Sequence, residues 1–229
     1  MIFNYQLVNE IIEAITPLPY DFGPLEEEAS EDIENIETQV FNVDNTAKIF
    51  FGASKLVICS PKLGNIVIKI PFNGYYAEGE EDNDWISFDC ASGSDPADYC
   101  LAEFEKYQEL KKYKLNCFVA KTILYKKINN TRIFIQEWVT TEKDTEKNPS
   151  ASPRSQKLAK QWFKERKLRI SNFNWVANCI DVYGENKMKR FLDYCNNIDS
   201  DIIQDFHQSN YGYRLNGTPC ILDYSGFFE

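Results

Sequence analysis

The stretch IIQDFHQSNYGYRLNGTPCILD, residues 202–223, joins a polar loop to two short segments that flank Asn216-Gly217. Asn-Gly favours a two-residue hairpin turn, because both residue types tolerate a positive φ angle. The flanking segments contain aromatic and branched residues, which are typical of strands. We therefore predict a tight β-hairpin with strands over residues 211–215 and 219–222.

The predicted hairpin reverses the chain and returns Asp223 to the loop that holds Asp205 and Asn210. Two carboxylates and a carboxamide then converge, and no basic residue lies among them. Mg²⁺ prefers oxygen ligands of this kind and keeps several waters besides. The alternative interpretation is an ordinary polar hairpin with an exposed aspartate at each end.

The spacing Asp205-x-x-x-x-Asn210 resembles the catalytic loop of protein-kinase-like phosphotransferases, and Asp223-Tyr224-Ser225-Gly226 resembles their metal-binding D-F-G. The form of both motifs is similar to that of small kinase-like proteins encoded by bacteriophages. The resemblance implies an α+β, protein-kinase-like two-lobed fold with an antiparallel N-lobe sheet. It also implies ATP and Mg²⁺ as cofactors, with Asp205 as the catalytic base and Asn210 and Asp223 as metal ligands. His207, two residues beyond Asp205, either orients this loop, contacts phosphate or is merely structural.

Further towards the N-terminus, IVIKIP over residues 66–71 places Lys69 inside an apolar, β-branched strand. Buried lysines are rare unless they are paired. The segment resembles the kinase strand whose lysine binds the α/β-phosphates and pairs with a helix glutamate. We expect that glutamate in a helix over residues 99–113, where Glu103 is the favoured partner and Glu105 the alternative. A solvent-facing lysine on an edge strand would also fit the pattern.

Two more segments are assigned by the resemblance. Residues 48–51 and 56–59 read as strands, and the link between them, which contains Gly52 and Ser54, corresponds to the loop that covers the nucleotide phosphates. A plain hairpin turn is the alternative, and Lys55 either reaches a phosphate or faces water.

Residues 117–127 and 132–139 are predicted as the fourth and fifth strands of the N-lobe. Gln136 to Val139 then correspond to the hinge, where backbone groups at Glu137 and Val139 would bind adenine.

The resulting domain organisation has three parts. Residues 1–47 form an acidic N-terminal extension without lysine or arginine, and its acidic run is expected to be solvated. Residues 48–139 form the N-lobe, with a loop inserted at 73–98. Residues 140–229 form a C-lobe with a core helix at 186–198 and a basic helix at 154–167, for which Ser152-Pro153 is expected to supply the cap and first turn. That lobe is expected to be minimal and truncated, because the chain ends soon after Gly226.

Composition narrows the function classes. The chain has 229 residues, 43% of them hydrophobic, and a formal net charge of −10. That charge disfavours nucleic-acid binding, which needs a basic surface. The seven cysteines form no C-x-x-C pair, and no signal peptide or transmembrane run is present. We therefore expect no membrane association and a reducing, cytoplasmic location, the host cytoplasm if the protein is phage-encoded.

The resemblance thus implies a kinase that transfers the γ-phosphoryl group of ATP to a hydroxyl of a protein or small molecule. The catalytic set implied by the resemblance is Asp205, Lys69 and Glu103, and phosphoryl transfer mainly requires positioning and charge neutralisation from such residues. The usual H-R-D triplet is replaced by Ile203-Gln204-Asp205. A nucleotide-binding pseudokinase that acts on a host or viral protein partner is the alternative, and a non-kinase interaction protein with a chance motif is the third possibility.

Overall fold

A computed structural model of the chain describes residues 1–18, 20, 28–51, 55–77, 85–89, 99–141, 151–166, 173–198 and 210–224. The chain divides into two compact units, each with its own apolar core. The first unit comprises Met1–Phe104 and Thr122–Glu137, and the second comprises Glu105–Lys121 and Trp138–Glu229. The protein therefore has a mixed α+β architecture, with helices and antiparallel sheet in both units.

The described part of the chain begins with two helices, and strands and further helices follow. The helices are α1 (Tyr5–Ala14), α2 (Glu28–Val43), α3 (Tyr99–Lys112), α4 (Pro153–Arg166), α5 (Phe173–Tyr183) and α6 (Glu185–Ile198). The strands are β1 (Lys48–Phe51), β2 (Lys55–Cys59), β3 (Ile66–Pro71), β4 (Asn73–Ala77), β5 (Trp85–Asp89), β6 (Thr122–Ile128), β7 (Thr131–Glu137), β8 (Val139–Thr141), β9 (Tyr211–Arg214) and β10 (Pro219–Ile221).

The first unit is built on a five-stranded antiparallel sheet in the order β1-β2-β3-β7-β6. Strand β3 lies at its centre, between β2 and β7. Strands β6 and β7 are joined by Asn129-Asn130, which have φ angles of 46° and 74°. Positive φ at both central residues matches the right-handed twist of a hairpin, and asparagine tolerates it better than most residues. The sheet predicted from the sequence is therefore present.

One face of this sheet is apolar and packs in one cluster with α1 and α2. Strands β2, β3 and β7 contribute alternate residues to it, among them Ile58, Ile68 and Ile135. The helices contribute buried residues at helical spacing: Val8, Ile11, Ile12, Ile15, Ile36 and Val40. The acidic run, for which the sequence predicts a solvated segment, forms α2 from Glu28 onwards. Its acids at 32, 34 and 37 are exposed while the opposite side of the helix packs inwards.

The predicted insertion at residues 73–98 contains regular structure. Strands β4 and β5 pair antiparallel within it, with Tyr75 opposite Ser87. Periodicity does not reveal this hairpin, because the sequence around it is dominated by acidic residues and glycine. Residues 78–84 and 90–98 of the predicted insertion lie outside the described part of the chain.

A buried aspartate joins the end of α2 to the strands. Asp44 is 1% exposed, and its side chain accepts hydrogen bonds from Ser60 Oγ, from Lys62 Nζ at 2.9 Å, and from the Thr46 hydroxyl at 2.7 Å. Burial alone would raise the pKa of this carboxyl, but the hydrogen bonds from Ser60, Lys62 and Thr46 outweigh burial and lower it. The charged form of Asp44 therefore stabilises the fold.

We expect acid to weaken this junction. A carboxyl whose pKa is lowered by folding contributes stability above its unfolded pKa of about 3.9, and the contribution is lost as the pH falls below that value. Asp44→Asn should reduce the free energy of unfolding by about 1–3 kcal/mol at pH 7 and flatten its fall below pH 4. Urea titrations at several pH values measure both effects. Asp32→Asn, on the exposed face of α2, is the matched control, and equal effects of both substitutions would contradict the assignment.

The second unit packs three helices and half of α3 around a small sheet in the order β10-β9-β8. Helix α4 begins behind Ser152, whose hydroxyl accepts a hydrogen bond from Ser155 N at 3.3 Å. This start agrees with the cap predicted from Ser152-Pro153. Trp175 of α5 and Phe191 of α6 are fully buried in the core. Helix α6 confirms the predicted core helix, whereas α5 is an addition to the predicted elements.

The turn of the C-terminal hairpin differs from the prediction. Gly217 has a φ of 79°, but Asn216 does not adopt a positive φ. Arg214 N donates to Thr218 O at 2.9 Å, so the loop has three residues and not two. A three-residue loop of this kind ends in a glycine with positive φ. Asn216 instead accepts hydrogen bonds from the backbone N–H and the hydroxyl of Thr218.

Among the described residues, no helix combines the length and the apolar character that crossing a bilayer requires.

Candidate functional site

A buried ion pair lies on the polar face of the first unit's sheet. Lys69 Nζ, on the central strand β3, lies 2.6 Å from Glu103 Oε2 and 2.9 Å from Oε1. The Lys69 and Glu103 side chains are 3% and 0% exposed. Glu105, the alternative partner, is exposed. The structure thus brings Lys69 and Glu103 together, and it places Lys69 in a central strand and not at an edge.

Two further side chains complete this cluster. Lys55 Nζ lies 3.0 Å from Glu103 Oε1, and Gln136 Nε2 lies 2.8 Å from Oε2. Gln136 is buried and also donates to the Thr122 hydroxyl at 3.0 Å. Each carboxylate oxygen therefore accepts two hydrogen bonds. Because an ionised carboxylate offers about four acceptor sites, Glu103 is saturated and fixed in place.

The strand register explains why these side chains meet. Lys69 lies opposite Val57 on β2 and Phe134 on β7. Lys55 and Gln136 are each two residues from those positions, so they point to the same side of the sheet as Lys69. Intervening residues point to the apolar cluster on the opposite side. The alternation of side chains that buries the apolar face therefore brings these polar side chains together on the opposite face.

The second unit contains the other part of the predicted site. The backbone carbonyl of Asn210 accepts hydrogen bonds from Leu222 N at 2.9 Å and from Asp223 N at 3.4 Å. The hairpin therefore returns Asp223 to Asn210, as the sequence predicts. Next to Asp223, the Tyr224 ring is buried and its hydroxyl donates to Ala120 O at 2.8 Å. The segment that carries Asp223 is thus held on both sides.

Hydrogen bonds that involve α5 and Arg214 stabilise the hairpin. Asn178 Nδ2 donates to the Tyr213 hydroxyl at 2.9 Å, and the Tyr183 hydroxyl donates to Pro219 O at 2.7 Å. Arg214 donates from one guanidinium nitrogen to the Tyr183 hydroxyl at 3.0 Å and from the other to Val119 O at 2.9 Å. These contacts fix both strands, and with them the backbone of Asn210 and Asp223.

The remaining predicted site residues are distributed as follows. Glu137 ends β7 in the first unit and is half-buried, whereas Val139 begins β8 in the second unit and is buried. Gly52, Ser54, Asp205 and His207 lie outside the described residues, so their predicted roles stay predictions.

The chemistry of the hairpin residues fits a hard cation. Asn210 supplies an amide oxygen and Asp223 a carboxylate, and Mg²⁺ is commonly held by one or two such side chains together with waters and phosphates. Within the described ranges, no group of three or more His, Cys, Asp or Glu side chains is arranged to hold a metal.

Sequence reasoning misses the contact of Gln136 with Glu103 and leaves Lys55 with two alternatives, a phosphate or water. It assigns only the backbone of Gln136, as part of a hinge. The available sequence signal for Gln136 is its position in the strand. It is a polar residue that alternates with buried apolar residues, two positions after Phe134. Lys55 is predicted in a link between strands, although it begins β2 and lies on the same face as Val57.

Comparisons with models of known protein families, with curated proteins and with solved structures found no significant match to this chain.

Proposed function

We propose that this protein is an ATP- and Mg²⁺-dependent phosphotransferase with a protein-kinase-like two-lobed fold. It transfers the γ-phosphoryl group to a hydroxyl of a protein or a small molecule. The observation that carries the proposal is the buried contact between Lys69, on the central strand of an antiparallel sheet, and Glu103, on the helix that follows in the chain. A buried ammonium held by a saturated carboxylate suits the binding of phosphates.

The order of the other elements supports the same function. Strands β1, β2 and β3 precede α3, strands β6 and β7 follow it, and the chain passes from the first unit to the second for the last time between Glu137 and Trp138. That junction falls within the predicted adenine-binding hinge, which includes Glu137 and Val139. The hairpin that returns Asp223 to Asn210 comes last.

Each residue has one role in the proposed reaction. Lys69 binds the α/β-phosphates and Glu103 holds Lys69. Gly52 and Ser54 cover the phosphates from the link after β1. Asp205 takes the proton of the acceptor hydroxyl or orients it, as the new O–P bond forms and ADP leaves.

Asn210 and Asp223 would hold Mg²⁺, which neutralises the charge of the transferred phosphoryl group when bound. The rigid hairpin serves this role because it holds the two backbones together before the metal binds.

The proposal is tested with γ-³²P-labelled ATP and Mg²⁺. We expect wild-type protein to transfer label to itself or to an added acceptor, and we expect Asp205→Ala and Asp223→Ala each to abolish transfer. Asp193→Ala, on α6, is the control for an aspartate substitution in the same unit. Thermal unfolding with and without ATP and Mg²⁺ is measured in parallel for all four proteins.

The outcomes separate the candidate functions. Transfer that is lost in both variants and kept in Asp193→Ala supports the phosphotransferase. Stabilisation of the wild type by ATP and Mg²⁺, without transfer to any acceptor, would replace it by a nucleotide-binding pseudokinase that acts through a protein partner. No stabilisation by ATP and Mg²⁺ would overturn both.

A further inference from the structure

Lys55 occupies a position that the proposed phosphotransferase does not yet explain. Its side chain is 12% exposed, and its Nζ shares Glu103 Oε1 with Lys69, at 3.0 Å and 2.9 Å respectively. The two lysines are diagonal neighbours on one face of paired strands, because Lys69 lies opposite Val57 and Lys55 is two residues before it. Long side chains at diagonal positions can reach a common partner.

Placing two ammonium groups on one carboxylate is costly for a sheet that needs neither charge for its pairing. Like charges repel, and long side chains lose rotamer freedom when they are buried. The register of β2 would accept an apolar residue at position 55, since Leu56 and Ile58 already anchor the strand in the core. The arrangement is therefore better suited to a ligand than to stability.

We propose that Lys55 is a second phosphate-binding residue, so that Lys55 and Lys69 together bind the polyphosphate of a nucleoside triphosphate with Glu103 as their common anchor. Both ammonium groups bind the same oxygen, Glu103 Oε1. The distance between the two Nζ atoms therefore cannot exceed the sum of the two contact distances, 3.0 Å and 2.9 Å. Neighbouring phosphates of one polyphosphate present oxygens over a comparable span. An ammonium group has three N–H donors and can bind a carboxylate and a phosphate at once.

The position of Lys55 in the chain agrees with this role. It directly follows Ser54, which the proposed function assigns, with Gly52, to the cover of the phosphates, and the inference rests on that function. A second cation on Glu103 also has a mechanistic use. When Lys69 turns its donors towards phosphate oxygens, Lys55 keeps the buried carboxylate paired, and Glu103 stays in position.

The test compares Lys55→Met and Lys55→Arg with wild type, and uses Lys126→Met as the matched control. Lys126 is an exposed lysine in β6 of the same sheet. ATP with Mg²⁺ and adenosine are the two probes, and their dissociation constants are measured by calorimetry. We expect Lys55→Met to weaken ATP binding roughly tenfold to a hundredfold, to leave adenosine binding unchanged, and to be largely rescued in Lys55→Arg. Lys126→Met should bind both probes as the wild type does.

A second measurement uses the wild type alone and does not depend on how a variant folds. Reductive methylation followed by mass spectrometry should show that ATP with Mg²⁺ slows modification of Lys55 and Lys69 but not of Lys126. Equal ATP affinity of wild type and Lys55→Met, or no protection of Lys55, would overturn the inference while leaving the phosphotransferase in place. Equal loss of ATP and adenosine affinity in Lys55→Met would make Lys55 a purely structural residue. Failure of the wild type to bind ATP would overturn the phosphotransferase, and the inference with it.

Discussion

Glu103→Gln is expected to lower the free energy of unfolding by about 3–5 kcal/mol, because it leaves buried ammonium groups without their carboxylate. Glu103 is fully buried and accepts hydrogen bonds from Lys55, Lys69 and Gln136. Glutamine has nearly the same shape, so the substitution removes charge and little volume. The glutamine amide also presents N–H donors to Lys55, Lys69 and Gln136. These three side chains donate to the native carboxylate and need an acceptor there.

Urea denaturation followed by circular dichroism measures this effect. Glu105→Gln makes the same chemical change two residues along α3 at an exposed position, and there we expect a change within about 0.5 kcal/mol. A loss at Glu103 as small as that at Glu105 would mean that the ion pair is not needed for stability. The double variant Glu103→Gln with Lys69→Met should be less destabilised than the separate effects predict, because it also removes one stranded ammonium.

Gly212→Ala is expected to lower the free energy of unfolding by about 3 kcal/mol or more, because the new methyl group would overlap with backbone atoms. A Cβ at this position would lie 1.9 Å from the carbonyl oxygen of Thr140 and 2.8 Å from Thr141 Cα. Strand β9 pairs with β8 on this side, with Thr141 opposite Gly212, and with β10 on the other. The central strand therefore cannot move away from one neighbour without moving into the other.

The turn glycine of the same hairpin provides the control for Gly212→Ala. Gly217 has a φ of 79°, and a methyl group added there would meet open space, with no atom within 4 Å. Gly217→Ala should cost only the backbone strain of a left-handed residue, about 1–2 kcal/mol. Hydrogen exchange should show faster opening of β8 and β9 in Gly212→Ala than in Gly217→Ala. Similar exchange and similar stability in both variants would contradict the close contact with Thr140.

Local pattern predicts much of the secondary structure. Strand β3 and helices α3, α4 and α6 lie close to their predicted bounds, since each has a clear apolar period or a recognisable cap. The hairpin β4–β5 and helix α5 are not found in this way. In the acidic segment around β4 and β5 the apolar period is interrupted, and α5 is apolar around much of its surface because it lies inside the core of the second unit.

In the C-terminal hairpin, the turn residues predict the position of the turn but not its length. Asn216-Gly217 correctly marks the reversal, yet the loop has three residues because Arg214 N pairs with Thr218 O. The pattern also gives no sign of β8, which pairs with β9 from a distant part of the chain. Gly212 is required for that pairing, and a lone glycine in a strand indicates a close approach without naming the partner.

The sequence by itself determined the strand that carries Lys69, the helix that carries Glu103, and the hairpin that returns Asp223 to Asn210, because each depends on local periodicity or turn chemistry. It favoured Glu103 over Glu105 by resemblance alone, since both lie on one helix and packing decides which side faces the sheet. It also did not predict that Lys55 and Gln136 contact Glu103. Their meeting at Glu103 depends on the register of β2, β3 and β7, and register is set when one face of the whole sheet is buried against α1 and α2.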